Sequence, residues 1–214
     1  MVLKFPRLAG WASRRGSLWL LLLVLVVSLL GLLVWLAGRY ESSLVQSRLE
    51  DHAALAVTDI RSGLNRNLQA VQALHARQRS AEAWQVLAAQ LLHEHREILR
   101  LEWRNESLAM LGFVDSSFRK PVFERLDRSS LQADASLACS EASRISGPAY
   151  STSYFLPQAD GLGMEVSDMC LPLTEAGRVT GYAVVTYSLQ SLLSELVSKP
   201  LSQGVGLSLT EADG

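Results

Sequence analysis

The apolar run SLWLLLLVLVVSLLGLLVWLAG at residues 17–38 constrains this chain more than any other feature, because it holds no charged side chain. As a helix it is roughly 33 Å long, about the thickness of a bilayer's hydrocarbon core. Trp19 and Trp35 stand near its ends, where an indole ring suits the headgroup boundary. A cleaved secretory signal is the competing reading, but such signals carry an apolar stretch of about 7–15 residues and a small-x-small cleavage site. The run here is longer, and Leu36-Ala37-Gly38-Arg39 is a poor cleavage site. The segment therefore reads as an uncleaved transmembrane helix in contact with lipid. Lys4, Arg7, Arg14 and Arg15 precede it, whereas the charge after it is mixed. The positive-inside rule then predicts a cytoplasmic N-terminus, residues 1–16, with residues 39–214 across the membrane.

A net charge of −1 with both signs interspersed gives no basic footprint for nucleic acid. The two cysteines, Cys139 and Cys170, both lie on the outer side of the anchor, where an oxidising compartment would let them pair. Buried free thiols are the alternative, since sequence alone does not fix their separation.

Residues 39–79 contain no proline and one glycine, and Val57, Ile60, Leu64, Leu68, Val71 and Leu74 recur at spacings of three and four. That pattern predicts a long stalk helix with one apolar stripe, packed on its own domain or on a second copy. A second helix is expected over 81–97, with Ser80 as its N-cap. The period then changes. Leu99, Leu101 and Trp103 alternate with Arg100, Glu102 and Arg104, Asn105-Glu106-Ser107 turns the chain, and residues 108–114 return, which reads as a strand hairpin. Residues 115–163 are polar and less regular, with a short helix around 129–144. Met164–Leu173, a turn at Glu175-Ala176-Gly177 and Arg178–Tyr187 predict a second hairpin. A helix over 189–197 follows, ended by Pro200. The order predicts an α+β fold, an antiparallel sheet with helices on one side.

Catalytic constellations are missing from the sequence: there is no Gly-x-Ser-x-Gly elbow and no Gly-rich loop ending in Lys-Ser/Thr. HEHRE at 93–97 invites a metal reading, but His93 and His95 are two apart on a predicted helix and point about 200° away from each other. The metalloprotease spacing needs two histidines four apart, so no metal site and no cofactor are expected. Asn105-Glu106-Ser107 matches a glycosylation sequon but reads as a turn. The polar insert is more informative. FRKPVFERLDR (118–128) sets Arg119 and Lys120 beside Phe118 and Phe123, and SGPAYSTSYFLP (146–157) supplies Tyr150, Ser153 and Tyr154. With Arg104 and Asp168 on strands as a floor, these make a candidate pocket for a small polar or anionic ligand such as a carboxylate. Ordinary core aromatics and solvated charges are the alternative.

With its anchor, its stalk, LRLEWRNESLAMLGFV and DMCLPLTEAGRVTGYAVVTYSLQSLLSEL, the chain resembles the extracytoplasmic PAS-like sensor regions, called PDC or Cache domains, of bacterial sensor histidine kinases. The resemblance implies a sensor domain over 80–198, a periplasmic location for 39–214 on the inner membrane, and a homodimer. It also implies ligand-driven signalling to a kinase encoded further along. In tandem members a second unit follows the first, so VGLSLTEADG would be the first strand and turn of that unit, with 199–214 its truncated start. No phosphorylated-histidine or ATP-binding segment lies in these residues, so any kinase activity belongs to the longer parent. Chemoreceptors and cyclases share such a front end. A membrane-anchored periplasmic interaction or assembly module without a small-molecule ligand is the alternative.

Overall fold

The computed structural model describes residues 9–77, 80–118, 123, 133–157, 163–198 and 208. Two compact units divide the chain, Met1–Ala53 and Ala54–Gly214. Helix α1 spans Ala9–Arg77 as one element. Within the first unit its stretch Ser17–Tyr40 is long and apolar enough to cross a membrane, and the large apolar side chains from Leu18 to Leu36 are all exposed. A helix apolar on every side needs an apolar surrounding, which lipid supplies. Near its end the Arg39 guanidinium lies 5.3 Å from the centre of the Trp35 ring, a cation–π contact.

The second unit is α+β. Helix α2 (Ala81–Glu94) starts at Ser80, whose hydroxyl accepts from the Ala83 N–H at 3.4 Å. Strands β1 (Ile98–Asn105) and β2 (Met110–Asp115) follow, then helix α3 (Ala133–Ile145). Two short strands come next, β3 (Ala149–Tyr150) and β4 (Tyr154–Pro157), then the long β5 (Gly163–Glu175) and β6 (Arg178–Ser188). A single turn of helix, α4 (Leu189–Ser191), runs into a π-helical turn at Leu192–Leu196. The antiparallel sheet has the order β2-β1-β6-β5-β3, and β4 also pairs with β5.

Turn chemistry sets both hairpins. The Asn105 side-chain oxygen accepts from the N–H groups of Ser107 (3.1 Å) and Ala109 (2.8 Å), and this Asx-type clasp holds Leu108 at φ +63°. Between β5 and β6 only Ala176 and Gly177 intervene, at φ +51° and +81°, as a two-residue primed turn requires. Gly181 lets β6 approach β1 closely, since a Cβ there would meet the Arg104 carbonyl oxygen at 2.4 Å.

Alternation along β6 separates two faces. Ala183, Val185 and Tyr187 join Met169, Leu171, Ile98 and Leu101 in the main core under α1 and α2, which contribute Val71, Leu74, Trp84, Ala88, Leu91 and Leu92. The stalk stripe is buried only over its last part: Leu64 and Leu68 pack against this core, whereas Val57 is half exposed. On the opposite face α3 packs Ala138, Cys139 and Ala142 on Ala149, Cys170, Tyr182 and Val184. The expected helices on one side are thus α1 and α2, and α3 adds a helix on the other. Cys139 and Cys170 are joined by a disulfide, with Cα atoms 5.0 Å apart. Helix α2 ends at Glu94 instead of 97, because the backbone changes at His95, whose N–H still donates to the Leu91 carbonyl.

His75 on α1 lies among aromatics, 5.9 Å from Trp84 and 5.8 Å from Trp103 between ring centres, and its Nε2 accepts from the Trp84 indole N–H at 3.4 Å. Desolvation by burial lowers its pKa from 6.5 to about 4. The unfolded chain therefore binds this proton more tightly than the fold does. The stabilisation is complete above pH 6.5 and is lost as pH falls towards 4. One pKa unit corresponds to about 1.4 kcal/mol, so the difference between pH 7 and pH 5 is about 2 kcal/mol. Urea unfolding of the detergent-solubilised chain, followed by tryptophan fluorescence, should show a loss of that size that shrinks in His75→Leu. Equal pH dependence in both proteins would contradict it.

Candidate functional site

The face of the sheet opposite α1 and α2 carries a row of buried charge. In register, Arg100 on β1 stands opposite Asp115 on β2 and Thr186 on β6, and Thr186 opposite Asp168 on β5. Glu102 and Arg104 continue the row along β1. Arg100, Glu102, Arg104, Asp168 and Thr186 are all buried, although taking each ion out of water costs several kcal/mol unless it is paired. Pairing is visible throughout. The Arg100 Nε and Nη2 donate to the two Asp115 oxygens at 2.5 and 2.9 Å. Arg104 donates to Glu102 Oε2 from Nε at 2.8 Å and from Nη2 at 2.7 Å, and from Nη1 to the Leu108 carbonyl at 2.8 Å. The Thr186 hydroxyl donates to Asp168 Oδ1 at 2.5 Å, and the Tyr154 hydroxyl to Oδ2 at 2.9 Å.

Apolar groups frame this row. α3 and its partners close one side. Leu99, Phe123, Leu156, Met164 and Val166 form a separate cluster, with Tyr154 packed against it. Phe123, the one described residue of 119–132, packs on the sheet: its ring centre is 4.1 Å from the Arg100 guanidinium, with Phe113 at 4.6 Å. A guanidinium held by two rings and a carboxylate is strongly positioned.

Of the residues singled out from sequence, the structure brings Arg104, Tyr154 and Asp168 to this face. Ser153 lies beside it, its hydroxyl donating to Glu165 at 2.8 Å. Tyr150 turns away: it pairs with Met169, whereas its neighbour Ala149 pairs with Cys170, so its side chain belongs to the α1–α2 face. Arg119 and Lys120 lie outside the described residues. Arg100, Glu102, Asp115 and Thr186 are the additions. Their signal was present in the alternation Arg100-Glu102-Arg104, which reads equally well as a solvated strand face. Of the HEHRE histidines, His93 stacks on Phe118 at 5.0 Å and His95 pairs with Glu97.

No family model matches the chain, and no curated protein matches it. Among solved structures, it is similar to the sensory domain of the Campylobacter jejuni chemoreceptor Tlp3 (CcmL) with isoleucine bound. Two further structures of the Tlp3 ligand-binding domain, in complex with L-norvaline and with L-valine, match as well. In all three the identity is 17% and the TM-score 0.50, over 73–74% of this chain and 64–66% of the Tlp3 chains. The shared feature at this identity is the fold, and this chain spans slightly less than two-thirds of the length of those domains.

Proposed function

We propose that this chain is the anchoring and ligand-sensing front part of a bacterial membrane receptor, and that it binds a small polar molecule on the charged face of its sheet. The observation that carries the reading is the fully buried row Glu102, Arg104 and Asp168, with Phe123 packed on the neighbouring Arg100. A sheet face built only for stability would be apolar, because replacing buried ion pairs by apolar groups is neutral or stabilising. Charged groups held in place by fixed partners instead suit the recognition of a polar molecule. The solved domains of this fold hold isoleucine, norvaline or valine, so the ligand class we assign is a small amino acid or related zwitterion. Asp168 and the Tyr154 hydroxyl would receive the ammonium group. Arg100 or Arg104, with Arg119 and Lys120 from the insert, would receive the acid group.

In this reading residues 17–38 cross the inner membrane, 39–79 form a stalk that pairs with that of a second copy, and 80–198 sense the ligand in the periplasm, with a second unit starting at 199. The contacts of β1 supply a relay. Glu97, one residue before β1, accepts from the Asn67 side chain of α1 at 2.8 Å, and the Ser188 N–H at the end of β6 donates to the Glu97 carbonyl. A shift of β1 or β6 under a ligand is thereby passed to α1, and a coupling of about 1–3 kcal/mol suffices for signalling. The output we assign is a sensor histidine kinase. The chemoreceptor nature of the solved neighbours favours a second reading, a chemoreceptor with the same front end.

Thermal-shift screening of the detergent-solubilised chain against amino acids and carboxylates tests the site. At least one amino acid should stabilise the protein, and Asp168→Asn should weaken its binding at least about tenfold, the worth of a charged hydrogen bond. A library without effect, or stabilisation indifferent to Asp168→Asn, would exclude this face as the site.

A further inference from the structure

A cavity lies on the α1 side of the fold, away from the charged sheet face. It has a volume of about 290 Å³ and is lined by Arg66 and Asn67 of α1, Glu94 at the end of α2, residues 95–97 after it, and Glu195 and Leu196 of the π-helical turn. That is close to the lower end of the range for small-molecule sites, about 300 Å³.

Of its charged lining residues only His95 and Glu97 pair with each other. Glu97 is held as a carboxylate: burial pushes it up, but hydrogen bonds from His95, its own backbone and Asn67 bring it below its ordinary value. Glu94 accepts from Gln90. Among the described residues the Glu195 side chain makes no hydrogen bond or ion pair, Arg66 donates to the Ser62 hydroxyl, and Arg96 lies over the Phe118 ring. Neither arginine forms an ion pair, although carboxylates line the same cavity. Asn67, which lines it, is completely buried; its amide nitrogen donates to Glu97, and its side chain also lies against the Tyr187 hydroxyl. Another part of its wall is a π-helical turn, a rare element frequent at functional sites. It presses on α1 closely enough that a Cβ at Gly63 would meet the Leu196 side chain at 2.7 Å.

We propose that this cavity is a second ligand site that takes a small zwitterion, its ammonium group at Glu195 and its acid group at Arg66 and Arg96. Such a molecule joins charges that the protein holds apart, and it fastens α1 to the turn through which the chain leaves the sheet. The proposal stands on these residues and not on the sheet-face reading. Titration calorimetry of the detergent-solubilised full chain with β-alanine and with taurine tests it, with ethanolamine and acetate as single-charge controls. At least one zwitterion should bind saturably, at least tenfold more tightly than either control. Glu195→Gln and Arg66→Gln, both at exposed positions that should not disturb folding, should each weaken binding tenfold or more, and Asp168→Asn should leave it unchanged. Absence of saturable binding, equal binding of a control, indifference to Glu195→Gln and Arg66→Gln, or loss in Asp168→Asn would each overturn it.

Discussion

Arg104→Met should cost about 3–5 kcal/mol of folding stability, the range for removing one partner of a buried ion pair. Arg104 is fully buried and makes two charged hydrogen bonds to Glu102, itself fully buried. Removing Arg104 takes both charged hydrogen bonds from Glu102 Oε2, and the Arg100 guanidinium, 3.7 Å from Oε1, is too far to replace them with a hydrogen bond. The Leu108 carbonyl in the Asx-held turn also loses its donor. Methionine has a comparable length, so the loss is chiefly electrostatic. The double variant Arg104→Met/Glu102→Leu removes both charges, and it should recover most of the loss, a coupling far above the additive limit for distant sites. Urea denaturation of the three proteins measures this cycle. Additive losses would show that the two side chains act separately.

Removing the disulfide should have an effect of similar size. Cys139 and Cys170 are 31 residues apart in sequence and both fully buried, and loop-closure entropy assigns such a bridge about 3–4 kcal/mol. For a chain of this size that is roughly 6–16 °C in Tm. The paired substitution Cys139→Ser/Cys170→Ser should therefore melt well below the wild type, as should the wild type in reductant. The bridge is what fastens α3 to β5, since that helix otherwise contributes mostly alanines to its contact, and these bury little area. A melting temperature unchanged by reductant would contradict the assignment.

The elements legible in sequence are those with strong local signals. The apolar run, the three-four spacing of Leu64, Leu68, Val71 and Leu74, the Ser80 cap and the turns at Asn105 and Ala176-Gly177 each follow from a few neighbouring residues. β3 and β4 were not legible, because two and four residues carry too little periodicity and their pairing is set by β5, whose register partners lie 6 to 21 residues away. The candidate site was legible in part. Asp168, expected on the floor, and Tyr154, expected above it, meet through a hydrogen bond. Tyr150 was placed by residue type, but strand parity decides its side, and parity was hidden until β3 had a partner. Arg100 and Glu102 were missed for a related reason: alternation shows that they share a face without showing which face is covered.

The account rests on a ligand occupying the charged side of the sheet and moving α1. Hydrogen–deuterium exchange of the detergent-solubilised chain, with and without the most stabilising amino acid from the screen, addresses both parts at once. The account predicts added protection in residues 119–132, in β1 and in β5 near Asp168, together with a change in α1 around Asn67. Protection confined to other segments, or protection at the sheet with α1 unaltered, would contradict it.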